Sequence, residues 1–422
     1  MFTPRARYRF YGSPGNYSSA ASHALKSLFG SARDYRDSLE RQVAGMVGVG
    51  HAICVPQARF GIYLILANLL NAERPNVVMS PYTIHDVVNM VLCAGGKPVF
   101  ADIESETCNV DPAEIEKLID DRTGAVMITH LHGLACDVEK IRALCEARGV
   151  PLIEDAAQAF GVRVGGRLLG GYGHAGVFSF GRAKNINAFY GGMIVTSDAS
   201  LAKAIRGEIE ALPEENSRKL AKRIAHCAVG DLATLPPIYS WLTFNFFRYG
   251  AIRGVESVNK VVQTENNPVR KEKLPEPYRR RLTQMQARLI VEQLPMLDRN
   301  TQARLKMARI YHEGLTGLPG IQLPPWREDG SHIYLQYPVQ VPDRWDYVRY
   351  MMIHGRDLAI QHMTTAAELE VFKDFARDCP MAKLTAERVV LLPTYPGYGE
   401  AEVRANVKVT ADYLRQREAV SR

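Results

Sequence analysis

The sequence predicts an α/β protein, with a mostly parallel β-sheet carrying helices on both faces and a smaller α+β domain at the C-terminus. Three observations predict it. Between residues 50 and 200, short apolar runs alternate with helix-like stretches, the pattern that builds parallel sheets. Several runs stop at a polar residue: Val77-Val78-Met79 at Ser80, Ala125-Val126-Met127-Ile128 just before His130, Leu152-Ile153 at Glu154-Asp155. After residue 280, helical patterns surround one alternating segment.

In order, the strands are those three runs, Pro98-Val99-Phe100 leading to Asp102, Val177-Phe178-Ser179-Phe180 and Met193-Ile194-Val195-Thr196. Residues 111–120 and 137–148 read as helices between them. A long helix is expected from Gln286 towards Tyr311, a strand over 334–341, and helices over 345–354 and 402–415. The expected units are a large domain over 18–200, a connecting insertion over 201–278 and a small domain over 279–422.

At 422 residues, the chain exceeds one typical domain. The net charge of +7 suits anionic substrates or a membrane surface without demanding nucleic acid. Arg279-Arg280-Arg281 reads as a solvated basic stretch. Seven scattered cysteines without a C-x-x-C pair suit a reduced, cytoplasmic protein. The N-terminus lacks the apolar core of a secretory signal, and no apolar run reaches the ~18 residues of a membrane span.

The chemistry concentrates at Asp155-Ala156-Ala157-Gln158 and at Ser179-Phe180-Gly181-Arg182-Ala183-Lys184-Asn185. A loop lysine, an aspartate at a strand end and a serine five residues before the lysine are the parts of a pyridoxal phosphate (PLP) site. Lys184 can form a Schiff base with the cofactor, Asp155 can keep the pyridine nitrogen protonated, and Ser179 can bind phosphate. In open α/β sheets, ligands sit beyond the carboxyl ends of the strands, where both segments fall. His130 and His132 form an H-x-H pair without further ligands, so no metal is expected.

These motifs resemble the DegT/DnrJ/EryC1/StrS family, PLP enzymes of fold type I that act mostly on nucleotide-linked keto sugars. The resemblance rests on Leu39-Glu40-Arg41-Gln42-Val43-Ala44, Gly95-Gly96-Lys97-Pro98-Val99-Phe100-Ala101-Asp102-Ile103, Ile128-Thr129-His130-Leu131-His132-Gly133, Ile153-Glu154-Asp155-Ala156-Ala157-Gln158-Ala159, the Ser179-to-Asn185 run and Gly191-Gly192. It covers residues 35–200 well and 280–415 more loosely. By this resemblance Lys184 carries the cofactor and moves the substrate proton, Asp155 pairs with the pyridinium, Gln158 faces the ring oxygen and Ser179 binds phosphate. The retained lysine argues against the family's dehydratase branch, which has histidine there. The resemblance also implies a homodimer with shared active sites.

Four departures stand out. Gln57-Ala58-Arg59 replaces the family's S-G-T phosphate turn, and Arg279-Arg280-Arg281-Leu282 replaces its N-Y-R-M. Ala58 and Arg59, with Arg279 from the neighbouring subunit, are therefore expected at the phosphate, where guanidinium forks suit the anion. Ile84 matches the ring-stacking aromatic, so the adjacent His85 is a candidate to stack instead. Phe189-Tyr190 replaces a Gly-Glu pair, which implies an apolar substrate wall.

The expected function is a PLP-dependent aminotransferase, with glutamate as donor and a nucleotide-linked keto sugar or related biosynthetic intermediate as acceptor, in ping-pong order. The alternatives are a lyase-type PLP reaction on an amino acid or an apolar or lipid-linked substrate, and a non-catalytic regulatory protein of the same fold. Residues 234–249 hold Tyr239, Trp241, Phe244, Phe246, Phe247 and Tyr249. They read as a subunit interface or a lid packed on the core. The other reading is a peripheral membrane contact, which would add membrane-surface association to a cytoplasmic protein.

Overall fold

Alternation along the strands divides the core into the layers that position the site. The computed structural model describes residues 4–9, 14–27, 34–253, 267–360 and 363–421. The strands are β1 (His51–Val55), β2 (Asn76–Met79), β3 (Tyr82–Thr83), β4 (Lys97–Phe100), β5 (Thr123–Thr129), β6 (Leu152–Asp155), β7 (Arg163–Val164), β8 (Arg167–Leu168), β9 (Ala175–Ser179), β10 (Gly192–Thr196), β11 (Tyr337–Gln340), β12 (Ala359–Ile360), β13 (Thr364–Thr365) and β14 (Val389–Leu392). Seven form the main sheet, in the order β1-β10-β9-β6-β5-β2-β4. Only β10 runs against the others, pairing antiparallel with β1 and β9. The remaining neighbours pair in parallel.

Successive side chains on these strands enter opposite layers. Val78, Val126, Leu152 and Phe178 pack in one core with the helices Tyr35–Val47, Val138–Arg148 and Gln284–Gln293. Val77, Met127, Ile153 and Val177 pack in the other, with Ala58–Leu69, His85–Cys93 and Ala199–Glu210. A sheet buried on both faces explains strands that read as continuous apolar runs.

The C-terminal unit has a third core, around Tyr311, Tyr337, Val339, Tyr347 and Val390. Its sheet, β11-β14-β12, is antiparallel. The long helix expected from 286 towards Tyr311 is instead two helices, Gln284–Gln293 and Leu297–Leu315, separated by the 3-10 turn Leu294–Met296. Pro295 lies in that turn; it lacks an N–H and its ring crowds the preceding turn of a helix. The strand expected over 334–341 shortens to β11 because Tyr334 takes a left-handed φ of 47°, outside β geometry.

Helix Pro236–Ile238 begins at the two prolines and continues through a π turn, Tyr239–Thr243, into Phe244–Arg253. The aromatic stretch splits across this element. Tyr239 and Phe244 are buried in the third core with Ala6, whereas Trp241, Phe246 and Tyr249 are exposed. Among the described residues, no helix is long and apolar enough to cross a membrane.

A carboxylate beside β4 caps a C-terminal helix. Asp102, just past β4, accepts from Met381 N (2.9 Å) and Ala382 N (2.8 Å) in the first turn of helix Pro380–Arg388. It supplies from far along the chain the cap that Cys379 does not provide. Asp102→Ala leaves two N–H groups without this acceptor, so it should lower unfolding free energy by about 2 kcal/mol. Urea denaturation measures it; unchanged stability would remove Asp102 as the cap.

Candidate active site

The site begins with two adjacent carboxylates at the carboxyl end of β6. Glu154 is fully buried and accepts from Gly170 N (2.7 Å), Tyr172 N (2.6 Å) and Gly173 N (2.6 Å). His130 Nε2 lies 3.3 Å from it, while His130 Nδ1 accepts from Cys136 N at 3.1 Å. That second bond leaves the imidazole proton on Nε2, where it donates to Glu154. His130 is therefore a structural link, and no group of three or more metal-ligating side chains occurs among the described residues.

The strand period turns Asp155 to the opposite layer, beneath helix Ala58–Leu69. Its Oδ1 accepts from Ala157 N at 3.0 Å. Burial raises its pKa, opposed by that hydrogen bond and by the Lys184 charge. Such a carboxylate gains from a cation or a protonated ring nitrogen beside it.

Lys184 sits on the loop between β9 and β10. The loop is irregular, with left-handed φ at Ala183 (59°), Phe189 (69°) and Gly191 (142°). Two glutamines of helix Gln284–Gln293 hold it from behind. Gln286 Nε2 donates to Ala188 O and Tyr190 O (3.2 and 2.8 Å), and Gln293 Nε2 to Asn187 O (2.8 Å). Asn185 donates to Phe160 O and accepts from Arg304 Nε. At Gly192 any Cβ would come within 2.6 Å of Ala58 N, so glycine there lets the turn at 57–59 lie against β10.

Packing around the Lys184 amine lowers its pKa from 10.5 to about 8; Asp155 opposes this shift and Arg59 adds to it. The amine therefore gives up its proton just above physiological pH, far more readily than an ordinary lysine, as a nucleophile or base requires. His132, on the 3-10 turn after β5, is pushed down to about 4 by burial, with Lys184 adding to the effect. It is neutral at pH 7. Its backbone N donates to Gln158 Oε1 at 2.9 Å, which makes the amide nitrogen the donor end of Gln158.

Arg59 is tied to Asp86 (2.6 Å), which also takes Lys271 (2.5 Å) and the Tyr278 hydroxyl (2.6 Å). These cations and the Lys271 and Tyr278 hydrogen bonds hold the Asp86 carboxyl down to about 2, against the opposing effect of burial. Two cations share one carboxylate, which leaves net positive charge beside the turn. Gln57, which caps helix Ala58–Leu69, makes no side-chain hydrogen bond to its first turn. Ser179 Oγ accepts weakly from Gly181 N, at 3.4 Å. An open helix N-terminus, an excess cation and a hydroxyl fit a phosphate, and Lys184 with Asp155 fit an aldehyde and a ring nitrogen. These residues therefore suit PLP.

His85 is half-buried at the start of its helix, and Arg279 is exposed. Phe189 is fully buried in the first core, 5.8 Å from the Tyr17 ring, and Tyr190 lies under the Arg223 guanidinium at 4.6 Å. Neither lines the cavity of about 350 Å³ that Lys184 enters. Its walls include Arg7, Tyr8, Arg9, Arg299, Arg304 and Gln336, and no carboxylate. Sequence reading missed these walls; the only signal was the alternation Arg5, Arg7, Arg9.

Residues 16–230 and 254–409 match the model of the DegT/DnrJ/EryC1/StrS aminotransferase family. The chain is 29% identical, over 87% of its length and 85% of the relative's, to a UDP-N-acetyl-3-dehydro-alpha-D-glucosamine 3-aminotransferase of Acidithiobacillus ferrooxidans. It is 27% identical to a pleiotropic regulatory protein of Geobacillus stearothermophilus, over 90% of both chains. Its fold superposes with a TM-score of 0.76 on PseC of Helicobacter pylori, an aminotransferase involved in pseudoaminic acid biosynthesis, at 18% identity over 98% of this chain and 100% of that one.

The electrostatics set opposite signs for two substitutions. Asp155→Asn removes the attraction that favours the charged amine, so the Lys184 midpoint should fall below about 8. Arg59→Met removes the repulsion, so the midpoint should rise above it. Competitive acetylation of Lys184 across pH, read by peptide mass spectrometry, measures both. Shifts of the same sign would contradict the arrangement.

Proposed function

The chain belongs to the DegT/DnrJ/EryC1/StrS aminotransferase family, and on that premise we propose that it transfers an amino group from glutamate to a nucleotide-linked keto sugar, in ping-pong order on Lys184. The observation that carries this reading is Lys184, with its depressed pKa, entering a cavity whose lining has four arginines and no acid. A sugar linked to phosphates is an anion that such walls attract. Arg7 is neutralised by Asp357 (2.6 Å), so Arg9, Arg299 and Arg304 supply the excess charge. The name of the Acidithiobacillus relative, which describes a UDP-linked keto sugar, points the same way.

PLP, held by Lys184, Asp155, Gln158, Ser179 and the turn at Ala58-Arg59, would supply an electron-withdrawing ring that stabilises negative charge at the donor Cα. The residues do the rest. Asp155 keeps the ring nitrogen protonated, which in turn keeps Asp155 ionised despite its burial. Lys184 Nζ, neutral above about pH 8, accepts the proton from the donor Cα and in the second half-reaction returns a proton to the acceptor carbon. His132, uncharged at pH 7, fills space near the amine without adding a competing charge. A homodimer would bring the exposed Arg279 to the neighbouring chain's site.

Borohydride treatment of the PLP-loaded protein should leave a pyridoxyl group on Lys184. Glutamate should bleach the yellow protein and a UDP-linked keto sugar restore the colour. Lys184→Ala should lower turnover roughly 10³-fold or more. Bleaching by no amino donor would favour a regulatory protein of this fold, and bleaching that no keto acceptor reverses would favour a lyase-type reaction.

A further inference from the structure

The helices Ser217–Ala233 and Phe244–Arg253 present an amphipathic surface that the aminotransferase chemistry does not use. Residues 231–253 fall in the gap between the two stretches that match the family. On the first helix, Leu220, Ile224, Cys227 and Asp231 turn inward at helical spacing. Leu220 and Ile224 pack on the first core, and Asp231 accepts the Tyr17 hydroxyl at 2.7 Å. The opposite stripe runs from Arg218 and Lys222 at its start to the exposed Val229 and Leu232 at its end. The second element continues it with Trp241 (84% exposed), Leu242 (71%), Phe246 and Tyr249, and ends at exposed Arg253.

This surface is held rigidly. Tyr239 donates to buried Asp357, Ser240 Oγ to Pro4 O (3.1 Å), Thr243 Oγ1 to Ala233 O (2.8 Å) and Arg248 Nη2 to Ile353 O (3.1 Å). The exposed apolar side chains are therefore not waiting to fold inward. Seven large ones, from Val229 to Tyr249, lie within about two dozen residues, a density that calls for a partner.

Charge identifies the partner. Of the six cations between residues 216 and 253, Arg218, Lys219, Lys222 and Arg253 are exposed, Arg223 pairs with Glu215 (2.6 Å) and Arg248 donates to Ile353 O; the one carboxylate, Asp231, is turned inward. A second copy of this chain across a two-fold axis would set this positive face against itself. An RNA or DNA strand would leave Val229, Leu232 and Leu242 uncovered. A bilayer with anionic headgroups satisfies both halves, taking Trp241, Leu242 and Phe246 into the headgroup–acyl boundary while the cations meet lipid phosphates.

We propose that the face formed by residues 218–253 docks this protein, in plane, on an anionic lipid bilayer. Co-sedimentation of the PLP-loaded full chain with vesicles of phosphatidylcholine, alone or mixed with phosphatidylglycerol, tests it. The protein should pellet with the anionic vesicles and be released by salt. Trp241→Ser with Phe246→Ser should weaken partition roughly tenfold or more, while mass by light scattering and PLP absorbance stay at wild-type values. Lys219→Glu with Lys222→Glu should weaken it separately. No pelleting with anionic vesicles at low salt would overturn the proposal. So would unaltered partition of the Trp241/Phe246 variant. A fall of that variant to a smaller oligomer with loss of PLP would assign the face to a subunit contact instead.

Discussion

The site depends on how two neighbouring carboxylates at the end of β6 are satisfied. Glu154 faces one layer and receives three backbone N–H groups and an imidazole. Asp155 faces the other and receives one backbone N–H. A strand reverses side-chain direction at each residue, so the first carboxylate can be spent wholly on structure while the second stays underused. The Glu154 clamp fixes the strand end and the loop at 170–173, and that fixed end holds Asp155 in place. An unsupported strand end would let Asp155 reach solvent and lose the low-dielectric surroundings that give its charge leverage over Lys184.

A second layer of electrostatics surrounds Lys184. Arg59 is close enough to lower the amine's pKa, yet its main partner is Asp86, which it shares with Lys271. The cluster therefore holds charge without neutralising it. It sits beside a helix N-terminus that has no side-chain cap, so partial positive charge from the backbone adds to it. A turn lacking the hydroxyl and glycine seen in related proteins can still attract an anion this way.

The N-terminal segment and the insertion are built on each other. Pro4 O meets Ser240, Tyr395 donates to Ala6 O, Arg7 stacks over Phe247, and both Arg7 and Tyr239 converge on Asp357. The same segment brings Arg7, Tyr8 and Arg9 to the cavity wall. One element thus couples the outer amphipathic face to the chamber that Lys184 enters.

How much was legible in the sequence follows from which interactions are local. The strand–helix alternation, the carboxyl-end position of Asp155 and the loop carrying Lys184 depend on periodicity and neighbours in the chain, and these were readable residue by residue. Pro295 is an equally local signal, and reading one long helix across it was a failure of reading. Other features need distant partners. Asp102 caps a helix nearly 280 residues away, Gln286 and Gln293 hold a loop about a hundred residues upstream, and Arg59 is committed to Asp86 across two helices. Phe189 reads as a pocket wall because Phe189-Tyr190 replaces the family's Gly-Glu pair, but its side chain is buried in the first core, at a left-handed φ. The sequence by itself determined the reacting groups and their strand ends. Only the tertiary structure decided their protonation, the walls of the cavity and which half of the aromatic stretch stays outside, because burial and long-range pairing are properties of the packed chain.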